Sequence, residues 1–464
     1  MSKPISRTAA TQQDLGDGLV LRWATAADSG RLADFNAQAF RNEEADAPQA
    51  STRATILELM SGRHPLVGAE DFAYVEVEDT ATGAIVSSAC LLRQRWEYEG
   101  IPFAVGRPEY VATDAAYRNR GLIRALFAAL HERSAALGDL AQGITGIPYF
   151  YRQFGYEYAL DLEGGRALLP ATLPALPAGE PEPYTLRDAT AAELPLIAAL
   201  YDRERAGYAV SAAVPDDYWR YALLPFSTAA HPGGEFDRKW WLRVIVDSAG
   251  AACGYVRTGT TLWGDTLYVW DLAVREGVPL RAAALATLRA LVATGPELIR
   301  ATQATGQQDA RFARIMLNLG GEHPLYVALG AGVAPFVSPP YAWYVRVADL
   351  PAFLTLIAPA LERRLAASPL SAWSGEVRLD FYRGGLRLTF ESGHLAAVVP
   401  WQRPIWGERQ HASFPPHVFL QLLFGHRNLA ALSAAFPDVR ASEEIAALLE
   451  ALFPQRRSLV AMLD

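Results

Sequence analysis

Two periods of hydrophobicity meet just after residue 113. Glu109 to Thr113 forms a β-type apolar segment. After a short polar loop, Leu122, Ile123, Leu126, Phe127 and Leu130 recur at helical spacing. The pattern predicts a strand, a loop and an amphipathic helix in immediate succession. A strand-like stretch from Leu140 to Ile147 follows, and then an aromatic run, Tyr149-Phe150-Tyr151-Arg152-Gln153-Phe154-Gly155-Tyr156-Glu157.

A second pattern is a repeat. Leu21-Arg22-Trp23-Ala24-Thr25-Ala26-Ala27-Asp28 returns as Leu186-Arg187-Asp188-Ala189-Thr190-Ala191-Ala192-Glu193. Each copy predicts an apolar strand, then an acid that caps an amphipathic helix. Thr25 and Thr190 read as N-caps, which accounts for part of the match. The strand-like pairs that follow also correspond: Phe72 to Glu78 with Ala84 to Leu92, and Trp241 to Asp247 with Ala251 to Thr258. The spacing predicts a duplicated unit. Between the copies, Pro170, Pro174, Pro177, Pro181 and Pro183 form a semi-rigid linker in which no helix or strand is expected to persist.

The remainder reads as a third unit. A strand at Tyr344 to Val347 precedes one amphipathic helix over Leu350 to Leu365. An alternating hairpin follows, with Val377, Leu379 and Phe381 on one arm and Leu386, Leu388 and Phe390 on the other, about Gly384-Gly385. Ser413 with Pro415 opens a helix through Val418 to Phe424, which Gly425 ends. The expected units are residues 1–168, a linker at 169–183, residues 184–340 and residues 341–464.

Composition narrows the classes of function. With 464 residues, 51% of them hydrophobic, the chain has material for two or three cores. A net charge of −8 argues against a general nucleic-acid binder and favours cationic ligands. Cys90 and Cys253 are the only cysteines, which excludes a disulfide framework and a thiolate zinc site. Met1 to Gly18 is polar, unlike a secretory signal, and no apolar run approaches the roughly 18 residues a membrane span needs. A cytoplasmic protein with no nucleic-acid or membrane partner is expected. Histidines 64, 131, 231, 323, 394, 411, 417 and 426 show no metal-ligand spacing, so no metal is expected.

The candidate chemistry sits where strand turns into helix. Arg118, Arg120 and Arg124 crowd the helix start, and Gly121 gives the backbone room to approach a ligand. Free amides at a helix N-terminus, its positive dipole end and a basic cluster together suit a phosphate or pyrophosphate. The same residues read equally well as a solvated helix start with incidental arginines, and Tyr151, in an aromatic run, reads by itself as core ahead of chemistry.

Loop and aromatic run together resemble the GNAT superfamily of acetyl-CoA-dependent N-acetyltransferases. There an Arg-x-x-Gly loop after the fourth strand holds the CoA pyrophosphate, and a Tyr-x-x-Phe-Gly-Tyr/Phe segment closes the site. The loop here is Arg118-Asn119-Arg120-Gly121-Leu122-Ile123. Its larger last residue, Ile123, and the run that begins at Tyr151 resemble the enhanced-intracellular-survival (Eis-like) subfamily.

The resemblance implies an α+β chain of tandem GNAT folds, each a mixed sheet flanked by helices, and then a sterol-carrier-protein-like α+β domain. It implies acetyl-CoA as co-substrate, held by Val111, Ala112, Thr113, Arg118, Asn119, Arg120, Gly121, Leu122 and Ile123. Tyr151 becomes the general acid, and the chain's terminal carboxylate, Asp464, the candidate base. The central GNAT-like unit is inactive in such enzymes, which agrees with Glu276 and Pro279 in the corresponding loop here. A homo-oligomer, a hexamer, is the expected assembly. The expected acceptor is the primary amine of a small cation such as a polyamine or aminoglycoside. Glu43, Glu44 and Asp46 could attract it, and Glu109 is the alternative base. A protein lysine as acceptor, or a lipid-binding protein with vestigial GNAT sites and a cavity lined by Leu379, Phe381, Leu388 and Phe390, are the other readings.

Overall fold

The computed structural model of the protein describes residues 12–463, apart from 42, 44, 45, 79–82, 225–239, 405 and 407–409. Along residues 12–168 the elements are β1 (Gln13–Gly16), β2 (Leu19–Trp23), α1 (Ser29–Ala39), α2 (Ala50–Met60), β3 (Phe72–Val77), β4 (Ile85–Tyr98), β5 (Ile101–Thr113), α3 (Leu122–Ala136), β6 (Ala141–Ile144), β7 (Glu157–Leu162) and β8 (Gly165–Leu168). The second stretch contains β9 (Tyr184–Asp188), α4 (Leu194–Arg205), β10 (Val210–Ala213), α5 (Asp216–Ala222), β11 (Trp240–Asp247), β12 (Ala252–Gly259), β13 (Thr266–Val274), α6 (Leu280–Ala293), α7 (Gly295–Ala304), β14 (Arg314–Leu317), α8 (Pro324–Leu329) and β15 (Phe336–Ser338). The third contains β16 (Tyr341–Val347), α9 (Leu350–Leu356), α10 (Ala358–Ala366), β17 (Gly375–Asp380), β18 (Gly385–Glu391), β19 (His394–Trp401), β20 (Ala412–Ser413), α11 (Phe419–Leu423), α12 (Leu429–Ala435), β21 (Arg440–Ala441), α13 (Glu443–Leu452) and β22 (Ser458–Leu459).

The sequence repeat is a structural repeat. Asp28 accepts from the amide and hydroxyl of Thr25 at 2.9 and 2.8 Å, and Glu193 does the same for Thr190 at 2.8 and 2.7 Å. Each pair closes a capping box, which fixes where its helix begins. The strands repeat too: β2-β3-β4-β5-β6 in the first sheet corresponds to β9-β11-β12-β13-β14 in the second. Both series are antiparallel meanders ending in one parallel pair. The chain is thus an α+β fold with mixed sheets, as expected.

Two expectations change. The unit boundaries at 168 and 340 are crossed by exchanged strands. β8 pairs with β14 and β15 in the second sheet, while β16 enters the first sheet between β6 and β7. The physical reason is backbone pairing: a short strand such as β6 would otherwise present an unmet row of amides and carbonyls. The single helix expected over 350–365 is two, broken at Ile357. Pro359 has no amide to continue the ladder and crowds the carbonyl four residues back. Strands β10 and β22 also join the first sheet, since β10 pairs with Arg95–Tyr98 of β4 and β22 pairs with β10.

The linker holds one short 3-10 turn, Pro170–Thr172, and is tied to the second unit through Thr172 Oγ1, which donates to Val333 O at 2.8 Å. The expected hairpin of the third unit is β17–β18, in a sheet ordered β19-β18-β17-β20-β21. First and third units share one core. Trp96, Tyr98 and Phe103 pack with Phe353, Leu379, Leu388 and Phe424. The Tyr98 hydroxyl donates to Leu423 O at 2.7 Å, and Glu99, at the β4–β5 turn, pairs with Arg364 at 2.9 Å.

A chain ending at residue 340 should therefore not give a smaller stable enzyme. Without β16 the edges of β6 and β7 lose their partner and Trp96 loses Trp343, whose ring centroid lies 5.8 Å away. Near-ultraviolet circular dichroism should show loss of tertiary packing in the first unit. A cooperative melt at the full chain's Tm would contradict the exchange.

Candidate functional site

The site begins where two strands separate. β5 and β6 are paired only at Val105–Ala141 and Gly106–Gln142. Beyond that point β5 runs on to Thr113, still paired to β4 on its other side, but its β6-facing edge has no strand partner among the described residues. A bulge helps the divergence: the β4–β5 register shifts between Ser88 and Cys90, and Tyr110 adopts φ +51°. Bulges with an unusual φ re-aim a strand, and they concentrate beside functional sites. Ala112 is held from behind, its carbonyl accepting from Ser87 Oγ at 2.8 Å. Val111, Ala112 and Thr113 therefore line one wall of a V-shaped gap.

The loop at its open end is shaped for an anion. Asp114 caps a 3-10 turn at Ala115–Tyr117 by accepting the amide of Ala116 at 2.8 Å. Asn119 and Gly121 both have left-handed backbones, φ +63° and +79°. A Cβ on Gly121 would meet nothing within 4 Å, so the glycine answers the positive φ and leaves open space above the helix start. The first amide of α3 to find a backbone acceptor is that of Ala125, on Gly121 O at 3.1 Å, so the amides ahead of it remain available to a ligand. Arg118, Asn119, Arg120 and Gly121 are exposed, whereas Leu122 is buried and Ile123 half-buried. No carboxylate pairs with Arg118, Arg120 or Arg124 among the described residues. Arg120 lies over the Tyr117 ring at 4.9 Å and Arg124 over Phe154 at 5.9 Å. Unbonded amides, a dipole end and three uncompensated guanidiniums fit a pyrophosphate.

Tyr151 stands in a 3-10 turn, Phe150–Phe154, on the other side of the gap. It is 4% exposed, and Phe127 stacks on it at 5.6 Å. Val111 and Ile123 pack in the same cluster, so the strand, the helix start and the tyrosine meet. The hydroxyl has no hydrogen bond to the protein among the described residues, and a Cβ on Gly146 would sit 3.8 Å from it. Burial, and secondarily the charge of Glu109, pushes the phenol well above its ordinary value. Tyr151 therefore stays protonated at any ordinary pH. His131 behind it is driven the other way, down to about 3, by burial and Arg346, and its neutral Nε2 is 2.8 Å from the Tyr156 hydroxyl.

Two strands add Arg107, Trp343 and Tyr344, which the sequence did not single out. Glu109 forms an ion pair with fully buried Arg107, whose guanidinium lies 4.7 Å from the Trp343 ring of β16. The next residue of β16, Tyr344, meets Tyr151 edge-on at 5.5 Å and donates to Tyr158 at 2.8 Å. A signal for Arg107 existed, because residues 107 and 109 share one face of a strand. Nothing near Tyr151 in sequence points to Trp343 or Tyr344.

The segment leading to Leu463 is docked rather than frayed. Leu463 is 1% exposed, packed with Tyr218 and Tyr221 of α5 and with Leu66, which follows α2 of the first unit. Asp464 and Glu44 lie outside the described residues. Glu43 and Asp46 close a local turn, the Glu43 amide bonding Asp46 Oδ2 at 3.0 Å. In the third unit Leu379, Leu388 and Phe390 are packed as core among the helices, with Phe381 partly buried against them.

The corresponding loop of the second unit cannot form the cradle. Val278 N bonds back to Arg275 O, Pro279 is the helix cap, and Arg281 is turned onto the Ala328 carbonyl at 2.6 Å.

Residues 21–159 match the model of the acetyltransferase (GNAT) domain family. The first unit is a GNAT acetyltransferase domain, and the chemistry of the chain is acyl transfer. Solved structures similar to nearly the whole chain include a GCN5-related N-acetyltransferase from Anabaena variabilis (TM-score 0.62, 13% identity, 95% of this chain and 99% of that one). A GCN5-related N-acetyltransferase from Kribbella flavida has a TM-score of 0.60 at 19% identity, over 96% and 98% of the two chains. Eis1 from Mycobacterium abscessus has 0.53 at 17%, over 94% and 97%. At these identities the likeness is one of fold. No curated protein matches the chain by sequence.

Proposed function

We propose that this protein is an acetyl-CoA-dependent N-acetyltransferase acting on a primary amine of a small cationic acceptor, with Tyr151 as general acid. The observation that carries the reading is one gap bounded by an uncompensated basic helix start, an unpaired strand edge and a buried, protonated tyrosine.

Acetyl-CoA supplies an activated acetyl thioester. Arg118, Arg120 and the amides from Asn119 to Ile123 would hold its pyrophosphate, and the edge amides of Val111 to Thr113 would meet negative charge developing on the acetyl oxygen. Tyr151 gives its proton, or a strong hydrogen bond, to the departing sulfur. A phenol with a raised pKa does not transfer fully to a thiolate near 8.5, yet donation in the transition state is typically worth about 10²- to 10⁴-fold. The acceptor must shed its own proton, which for a lysine-like amine costs about 4.6 kcal/mol at neutral pH. The terminal carboxylate of Asp464 is our candidate to receive it, supported by the docking of Leu463 beside Leu66. Glu109 is the second candidate, supported by its electrostatic effect on Tyr151. The net charge of −8 favours small cations. The deciding experiment is CoA release from acetyl-CoA against polyamines, aminoglycosides and lysine peptides. Turnover confined to the peptides would replace this acceptor class with proteins.

Charge reversal separates the two copies. Arg118→Glu should weaken acetyl-CoA binding strongly in calorimetry, whereas Arg275→Glu should leave it nearly unchanged. Equal affinities for Arg118→Glu and the parent chain would remove the loop from the cofactor site.

Tyr151→Phe removes only a hydroxyl, so cofactor affinity and Tm should persist while turnover falls by roughly 10² or more. Because the folded-state pKa of Tyr151 is raised, its protonated form persists above the ordinary phenol value of about 10. The parent enzyme's alkaline limb should therefore not move in the variant. A loss of less than about threefold would return Tyr151 to a packing role.

If the tail is the base, added residues displace its charge and crowd a closed site. A C-terminal tag should then reduce turnover far more than an N-terminal one, at an almost unchanged Tm. Equal activity of the two tagged forms would leave Glu109 as the base.

A further inference from the structure

The second unit has lost its loop but kept the shape of a cleft. β13 pairs with β14 only from Thr266 to Val269. Its last residues, Leu272–Val274, continue without that partner and form one wall of a cavity of about 600 Å³. The other walls are the final turn of α4, the residues just ahead of α8, and the C-terminal segment Gln455–Arg457. The cavity stands where the first unit has the gap between β5 and β6.

Its charges are unequally committed. Three guanidiniums, Arg203, Arg456 and Arg457, face two carboxylates, Glu204 and Glu322. Both carboxylates are engaged. Glu204 accepts from Nε2 of buried His323, whose Nδ1 accepts the Leu325 amide at 3.1 Å, and Glu322 pairs with Arg457 at 3.0 Å. Arg456 pairs with Glu99. Arg203 has no carboxylate partner among the described residues. It donates from Nη2 to Val274 O at 2.5 Å, which fixes the guanidinium at the wall with other donors to spare. Beside it lies an apolar surface of Leu272, Val274 and Leu280. A cleft of this volume with a few placed polar groups has the form of a small-molecule site.

We propose that this cavity binds a small organic anion, a phosphate ester or carboxylate with an apolar body. The anionic head lies on Arg203 and the body on Leu272, Val274 and Leu280. A cation fits poorly, since it would have to displace a partner from Glu204 or Glu322. A pyrophosphate-bearing cofactor fits poorly as well, because Pro279 and the diverted Arg281 leave no cradle at α6. The proposal does not depend on the acetyl transfer assigned to the first unit.

The test is calorimetric titration of phenyl phosphate, and in parallel phenylacetate, into the full chain with CoA present, so that the first unit's loop is filled. Benzylamine serves as the charge-reversed probe. Saturable binding of at least one anion is expected, and the stronger of the two identifies the head group. Arg203→Met, which keeps the stem, should weaken it by about tenfold or more, in line with the loss of a charge-assisted contact. Gly207→Trp should do the same by filling the mouth. Gly207 has no positive φ, and its Cβ would meet only Glu204 O at 3.6 Å, so the backbone is not strained. Near-ultraviolet circular dichroism and Tm, measured first in each variant, report that the chain is folded whether or not CoA binds. Absence of binding by either anion, binding that survives both substitutions, or equal binding of benzylamine would overturn the proposal.

Discussion

Everything around Tyr151 depends on β16 lying between β6 and β7. β6, only four residues long and paired with β5 at just two positions, would otherwise be left without a backbone partner on its other edge. The strand that completes it arrives from nearly two hundred residues away, and it pairs on both edges. Alternation along β16 then sends neighbouring residues to opposite faces. Trp343 and Val345 join the core shared with the third unit, while Tyr344 enters the aromatic cluster of Tyr151. One hydrogen-bonded strand thus positions Arg107 under Trp343, Glu109 through Arg107, and Tyr151 against Tyr344. Loss of either member of the Arg107–Glu109 pair would leave a charge in or beside a dry interior, typically a cost of about 3–5 kcal/mol.

The two ends of the gap use opposite electrostatics. At the loop end the arginines are exposed, so water and salt screen them and the cluster carries little cost in self-repulsion. At the Tyr151 end the groups are buried, and burial itself sets their protonation. Desolvation raises Tyr151 and, with the charge of Arg346, lowers His131, so both are neutral, while the Glu109 carboxylate nearby is paired with Arg107. A neutral acid in a site of low dielectric keeps its proton until charge develops next to it. That is the condition under which a weak acid such as a phenol is effective.

What the sequence made legible was local, and what it hid was long-range. The capping boxes at Thr25 and Thr190, the loop from Arg118 to Gly121 and the hairpin at Gly384-Gly385 each rest on residues within a few positions of one another. Period and turn chemistry reveal these directly. The exchanges of β8 and β16 leave no local trace: Tyr344 to Val347 reads as a strand whichever sheet receives it, and no pattern singles out Gly165–Leu168. Pro359 was legible in principle: a proline inside a helical pattern is a break, and the apolar spacing across it concealed one. Arg107 was hidden for a different reason. Its pairing with Glu109 is visible at i, i+2, but its burial follows from Trp343, which only the exchange brings near.

The exchange also explains why a second unit without a phosphate cradle is integral to the enzyme. β10 extends the first sheet through β4, β22 adds to β10, and the segment that follows carries Leu463 to Leu66 by way of Tyr218 and Tyr221. The second unit is therefore part of the surface on which the segment leading to Leu463 packs beside Leu66 of the first unit. A duplicated domain freed from binding cofactor can diverge at its loop, as Pro279 and Arg281 show, provided its sheet still closes with β8 and its α5 still receives the tail. Selection on the first unit's chemistry would then act on packing residues of the second, such as Tyr218 and Tyr221, that touch no substrate.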